Sequence, residues 1–159
     1  MQVLNSYRDF DMRIEEMRRE HTQEVCEMMK VFYESPAVWT NGSKEIFLTD
    51  IENCINSSPY LEGYVFVEEE ALAGYAMLAK SFSTELGKPC IWIEDVYFKP
   101  AYRGRGFGSD FLKFVQQKYQ DAVIRLEVEE ENEAAYHTYQ KNGFDVMPYV
   151  EMVYHKDGC

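Results

Sequence analysis

The sequence has no long hydrophobic run. Its apolar stretches stop after a few residues, well short of the ~20 needed to cross a bilayer, so no membrane-spanning helix is expected. Positive charge is also scarce. Lys and Arg total 16 against 28 Asp and Glu, a formal net charge of −12. Nucleic-acid binding rests on cations that neutralise phosphates, so that class of partner is not expected. Cysteine is limited to Cys26, Cys54, Cys90 and Cys159, with no CxxC and no histidine at metal-ligand spacing. Free thiols are the reading, three in core positions and one at the tail; neither a disulfide framework nor a metal site is expected. Met1 to Arg13 carries charges and no apolar centre like that of a signal peptide, which makes the cytoplasm the default location. There is no repeat, low-complexity tract or linker.

What remains is the composition of one globular domain, residues 1–159, of which 46% is hydrophobic and 15% aromatic. A chain of this length buries roughly two-thirds of its unfolded surface, enough for a real core. Residues 1–11 are either ordered or a frayed extension. The acidic balance suits a cationic small molecule or a protein amine, or serves solubility alone.

Apolar spacing predicts a strand over 12–17, then a helix from His21 to Glu34 with Val25, Met28, Met29 and Phe32 on one face. A second helix runs from Ser43 to Asn56 with Ile46, Phe47, Ile51, Cys54 and Ile55 inward, stopped by Ser58-Pro59. Gly63–Glu68 and Leu72–Phe82 read as a hairpin, and Ile91–Phe98 as another strand. A helix from Gly106 to Tyr119 comes next, with Phe107, Phe111, Phe114, Val115 and Tyr119 apolar. Then come a strand over Val123–Val128 and a helix over Glu133–Lys141, which Gly143 closes in the left-handed conformation. One or two last strands fall in Val146–His155. The order βααβββαβαββ describes a mixed α/β (α+β) domain: about four helices on a mostly antiparallel sheet of roughly six or seven strands. The strands flanking the Gly106–Tyr119 helix should be parallel, because a helix connects them.

The most informative segment is Arg103-Gly104-Arg105-Gly106-Phe107-Gly108-Ser109, between a strand and an amphipathic helix. A helix start leaves about four N–H groups without intrahelical partners and carries about half a positive charge. Glycines remove the Cβ atoms that would block close approach. Together these make a pyrophosphate cradle, and Lys99, Arg103 and Arg105 add positive charge locally. The spacing fits neither the dinucleotide fingerprint nor the P-loop. A plain structural turn is the alternative.

Arg103-x-x-Gly106-x-Gly108, after Ile91-Trp92-Ile93-Glu94-Asp95-Val96-Tyr97-Phe98, resembles the acetyl-CoA signature of the GNAT superfamily of N-acetyltransferases. Asn132-Glu133-Ala134-Ala135 and Tyr139-Gln140-Lys141-Asn142-Gly143-Phe144 resemble that family's second conserved stretch, in the same order and at the same separation. The strong match covers about residues 90–145; the first 60 match only in element order.

The resemblance implies a GNAT-like sheet and acetyl-CoA as co-substrate. Val96, Tyr97 and Phe98 would pair with the pantetheine arm. The N–H groups of Arg103, Gly104, Arg105, Gly106, Phe107, Gly108 and Ser109 would hold the pyrophosphate. Strands Ile91–Phe98 and Val123–Val128 would splay around the thioester, and Asn132, Ala135, Tyr136 and Tyr139 would line the other side. Homodimers, often through the last strands, are common in the family; Tyr149, Met152 and Val153 are the candidates here.

Transfer from a thioester needs a neutral amine, yet an alkyl ammonium with pKa near 10.4 is almost wholly protonated at neutral pH. A base must take that proton and an acid must supply one to the leaving thiolate. A backbone N–H on the Val96 strand is the candidate oxyanion donor. Tyr139 stands at the position of the family's usual tyrosine and is the candidate acid; the alternative is a core aromatic at i, i+3 from Tyr136. Glu94 is the candidate base, relaying through water, because Glu94 and Asp95 interrupt an apolar strand where a buried carboxylate is costly unless paired or used; the alternative is one exposed edge acid and one structural acid. On a regular strand they face opposite sides, so only one would enter the cleft. The pair resembles that of diamine (spermidine/spermine and thialysine-type) acetyltransferases, but it is shared by GNAT proteins of other specificity.

The acidic run Glu127–Glu133 would either attract a cationic amine or be a solvated loop. Trp39, Tyr33, Tyr60 and Phe82 are read mainly as core, with a role in an acceptor pocket as the alternative. His21, His137 and His155 form no ligand constellation. Three functions fit: acetyl transfer to a small-molecule primary amine in a ternary complex, transfer to a protein lysine or N-terminus, or CoA sensing without catalysis.

Overall fold

The computed structural model describes residues 12–156. The expectations for residues 1–11 and Cys159 lie outside them. The chain forms β1 (Arg13–Glu16), a 3-10 turn (Arg19–His21), α1 (Thr22–Tyr33), α2 (Lys44–Ile55), β2 (Leu61–Glu68), β3 (Ala71–Ser83), β4 (Lys88–Phe98), a second 3-10 turn (Pro100–Tyr102), α3 (Phe107–Lys118), β5 (Val123–Leu126) and α4 (Glu133–Lys141).

Local chemistry sets the element ends. Ser43 caps α2 by accepting the Ile46 N–H at 3.2 Å. Glu69 and Glu70 both adopt positive φ, +48° and +63°, and turn β2 tightly into β3. Gly143, at φ +89°, ends α4. Its N–H goes to the Gln140 carbonyl and that of Phe144 to the Tyr139 carbonyl, a Schellman motif sealed by contact of the Tyr139 and Phe144 rings.

The strands lie in the order β1-β2-β3-β4-β5. All neighbours are antiparallel except β4 and β5, which α3 connects and which are parallel. One core lies on the α1/α2 side of the sheet, around Val25, Met29, Ile51, Val65 and Tyr75. The other lies on the α3 side, around Phe66, Leu78, Ile93, Phe111 and Val115. Phe111 is fully buried, edge-on to Phe66. Phe111→Ala is expected to cost about 3–5 kcal/mol of stability in urea unfolding, from lost transfer energy and an unfilled cavity.

A bulge in β4 decides which of its side chains face which core. Met77 of β3 opposes Asp95 and Leu78 opposes Ile93, which leaves Glu94 as the extra residue. Side-chain parity flips there. Ile91 and Ile93 face the α3 core, and so do Val96 and Phe98. Asp95 and Tyr97 face the α1/α2 side.

Two expectations are corrected. The described residues form a mixed sheet of five strands, not six or seven, because Val146–His155 forms no strand. Pro148 interrupts that segment and lacks an N–H to donate to a ladder. Its apolar side chains face solvent, with Val150 and Met152 about 90% exposed (89% and 91%). Ile46, expected on the inner face of α2, is half exposed.

Candidate active site

The β4–β5 pairing stops at Ile93 opposite Leu126. Beyond that point β4 continues to Phe98 against β3 alone, and the chain after β5 leaves the sheet. The split opens a cleft of about 1460 Å³. Its walls carry Glu94, Asp95 and Val96 of β4, Tyr136 and Tyr139 of α4, Tyr33 at the end of α1, and part of the 145–151 segment.

Backbone groups of β4 alternate across this open edge. Lys99 N–H bonds the Ala73 carbonyl of β3. By alternation Tyr97 also turns its groups to β3, while Val96 and Phe98 turn theirs to the cleft side. The Phe98 carbonyl already accepts from Arg103 Nε at 2.8 Å.

At the end of β4 the loop Arg103–Gly106 leads into α3. Gly104 and Gly106 have φ of +72° and +87°, the left-handed region in which a side chain is strained. Gly106 is the α3 N-cap and offers no side chain to accept the first N–H groups. A Cβ at Gly104 would meet nothing within 4 Å. Uncapped donors at a helix start, beside open space, fit a pyrophosphate-bearing ligand. The nearby cations are not aimed at it. Lys99 pairs with Glu24 at 2.6 Å, and Arg105 makes a two-point pair with Glu68. The Arg103 guanidinium lies over the Tyr97 ring. From the sequence these cations have the role of local positive charge, and each side chain also bonds or packs on the protein itself. Ser109 is likewise engaged, accepting from Asn142 of α4 at 2.9 Å.

Both strand acids border the cleft, Glu94 exposed and Asp95 buried beside it. Glu94 is solvent-exposed at the cleft wall. Desolvation by the walls, then Glu151 and Asp50, push its carboxyl above its ordinary range. Asp95 is buried and accepts from Tyr33 at 3.0 Å and Tyr75 at 2.8 Å. Burial raises Asp95 to about 6 against the opposing pull of those two hydroxyls. A folded-state value above the unfolded one means that the native state holds the proton more tightly. The stability this provides is fully present below about pH 3.8 and is lost as pH rises through about 6. Asp95→Asn is expected to remove that decline. The difference in unfolding free energy between wild type and variant, measured from pH 3.5 to 7.5, should change monotonically in favour of the variant as pH rises.

Tyr139 lies on α4, and burial raises its hydroxyl above its usual value, so it holds its proton at neutral pH. Among the described residues that hydroxyl has no hydrogen-bond partner. Asn132 caps α4 by accepting from Ala135 N–H, and both line the cleft with Tyr136. Across it, a hydrogen bond between Glu127 and Glu151, followed by desolvation, lifts Glu127 to about 7.

Of the aromatic candidates, Tyr33 and Trp39 line the cleft. Trp39, Tyr60 and Phe82 are exposed rather than core, at 65%, 69% and 60%. His155 packs its ring on Trp39. The sequence missed the Asp95–Tyr33–Tyr75 group because the bulge decides which acid joins it. It missed Glu151 because the last segment reads as strand. Among the described residues no cluster of acidic, Cys or His side chains could hold a metal ion, and no helix is long and apolar enough to cross a membrane.

A family profile described as the acetyltransferase (GNAT) family matches residues 22–144. The chain belongs to the GNAT family. It is 37% identical over 75 residues to the thialysine N-epsilon-acetyltransferase of Bos taurus, and the match covers 45% of this chain and 44% of that protein. The chain thus spans less than half the length of the curated relatives it matches. The GNAT fold extends much further than this sequence identity. An aminoglycoside N-acetyltransferase in complex with CoA superposes at TM-score 0.76 and 17% identity, over 96% of this chain and 99% of that one. The ribosomal-protein-alanine N-acetyltransferase of Brucella melitensis superposes at 0.71 and 11% identity, over 91% of this chain and 99% of that one.

Proposed function

We propose that this GNAT domain transfers an acetyl group from acetyl-CoA to a primary amine of a small molecule, by direct attack within a ternary complex. The observation that carries the reading is the β4–β5 split with an uncapped α3 N-terminus at one end and Tyr139 with Glu94 along its walls. The α3 N–H groups from Arg103 to Ser109 would hold the pyrophosphate, and the Val96 edge would pair with the pantetheine arm. Acetyl-CoA supplies the activated acyl group.

Glu94, made more basic by its surroundings, accepts the amine's proton through water. Tyr139 gives its proton to the departing thiolate. The Val96 N–H, on the cleft side, donates to the carbonyl oxygen as it gains charge. Asp95 holds Tyr33 and Tyr75 and so fixes the wall beside Glu94. Glu94, Glu127 and Glu151 give the acceptor side a negative field that favours a cation.

The relatives named for thialysine and aminoglycoside substrates support a small amine. The second reading is a protein amine, and the wide cleft favours keeping it. Release of CoA from acetyl-CoA should be followed against polyamines, amino acids, aminoglycosides and lysine peptides. Release with a small amine at lower KM than any peptide is the expected result. Preference for a peptide would transfer the assignment to protein acetylation, and saturable CoA binding without release to cofactor sensing.

The same domain is proposed to form a homodimer through residues 146–154, whose apolar side chains, among them Tyr149, Met152 and Val153, face solvent. Exposed apolar side chains gathered in one segment are the kind of surface a partner covers. Sedimentation should give the mass of two chains; the mass of one would contradict it.

A further inference from the structure

The glycine loop is built from residues that do little to hold it. Gly104 and Gly106 flank Arg105, both left-handed, and a Cβ at Gly104 would meet no neighbour. Glycine loses the most conformational freedom on ordering, so such a loop needs an external anchor to keep its N–H groups aimed. The anchor is Arg105. Its guanidinium meets Glu68 through two hydrogen bonds, at 2.9 and 2.5 Å. It also lies over the Phe107 ring, 4.7 Å from the centroid, and the Tyr102 ring at 5.9 Å.

Glu68 is an unusual partner. It is the last residue of β2 and only 8% exposed, at the end of the sheet nearest the loop. A carboxylate is costly to bury there without a cation, and the planar fork of an arginine matches it at two points. A lysine would supply charge without the fork. The β2 side chain therefore fixes the height and direction of the loop's midpoint, between the two flexible glycines. Arg103 fixes the loop's beginning through the Phe98 carbonyl.

We infer that Glu68 is a positioning residue for acyl-CoA binding: through Arg105 it holds the glycine loop so that its backbone N–H groups present to the pyrophosphate. This rests on the proposed use of acetyl-CoA. The arginine serves as a strut, and the phosphate charge is met by the loop's backbone and the start of α3.

The test uses Glu68→Gln, which keeps shape and one acceptor, Glu68→Ala, Arg105→Lys and Arg105→Ala, with Glu68→Ala/Arg105→Ala closing a double-mutant cycle. CoA binding is measured by calorimetry. Turnover is compared for acetyl-CoA and for S-acetylpantetheine, which carries the thioester but no pyrophosphate. CoA affinity should fall about tenfold in Glu68→Ala and less in Glu68→Gln. The preference for acetyl-CoA over S-acetylpantetheine should fall by the same factor. The double variant should be no worse than the worse single one, as for two groups acting through one contact. Two results would overturn the inference. One is a drop in melting temperature with CoA affinity and donor preference unchanged, the mark of a purely structural ion pair. The other is tighter CoA binding in Glu68→Gln, which would mean that Glu68 only masks the charge of Arg105. Failure of the wild-type protein to bind CoA would instead overturn the proposed function.

Discussion

Replacing Tyr139 with phenylalanine is expected to lower kcat by about 10²–10⁴-fold, the range for loss of a general acid. CoA should still bind, because the ring that packs on Phe144 is kept. The reason lies in the leaving group. A thiolate expelled into a half-dry cleft needs a proton at once, and Tyr139 has one to give because burial keeps its hydroxyl protonated well above neutral pH. Its hydroxyl has no hydrogen-bond partner among the described residues, so donation breaks no internal contact. A structural tyrosine in this position would behave differently. Its phenylalanine variant would retain kcat and show at most a small change in stability. Presteady-state CoA release in the wild type and the variant separates the two, since a chemical step is read before product departure limits the rate.

The second large effect is expected at Gly106. At φ +87° a β-branched residue is strained, and Gly106 is the N-cap directly before the first N–H groups of α3. Gly106→Val should weaken CoA binding by at least about tenfold and cost about 1–3 kcal/mol of stability. Gly87 is the internal control. It also has positive φ, +62°, and a Cβ there would meet nothing, but it lies in the turn between β3 and β4. Gly87→Val should therefore lose comparable stability and retain CoA affinity. If both variants lose affinity in proportion to stability, the glycine loop is only a turn.

Much of this architecture was legible because its signals are periodic and local. The spacing of Val25, Met28 and Met29, and that of Phe47, Ile51 and Cys54, placed two helices within a residue or two. Gly143 ended α4 as its position implied. The parallel pairing of β4 with β5 was implied by the helix between them. Other features depend on what lies across the sheet. The bulge at Glu94 is a property of the β3–β4 pair, so the strand's own alternation could not tell which side Asp95 faces. The fate of Val146–His155 depends on a partner strand that the described residues do not supply, and an apolar segment with a proline reads as strand until that partner is sought. Arg103 and Arg105 read only as local positive charge, because the sequence does not reveal that one bonds the Phe98 carbonyl and the other Glu68. In each case local chemistry identified the residue, and a long-range contact decided its role.

If the glycine loop and the open edge of β4 together hold acyl-CoA, their backbone N–H groups should be shielded when it binds. Amide hydrogen exchange with and without saturating CoA tests this most directly, because it reads each backbone N–H without requiring turnover or the right amine. Slower exchange at Val96, Phe98 and residues 103–109, with little change in β1 and α2, is the expected result. CoA binding that protects some other surface, or leaves exchange in the loop unchanged, would contradict it.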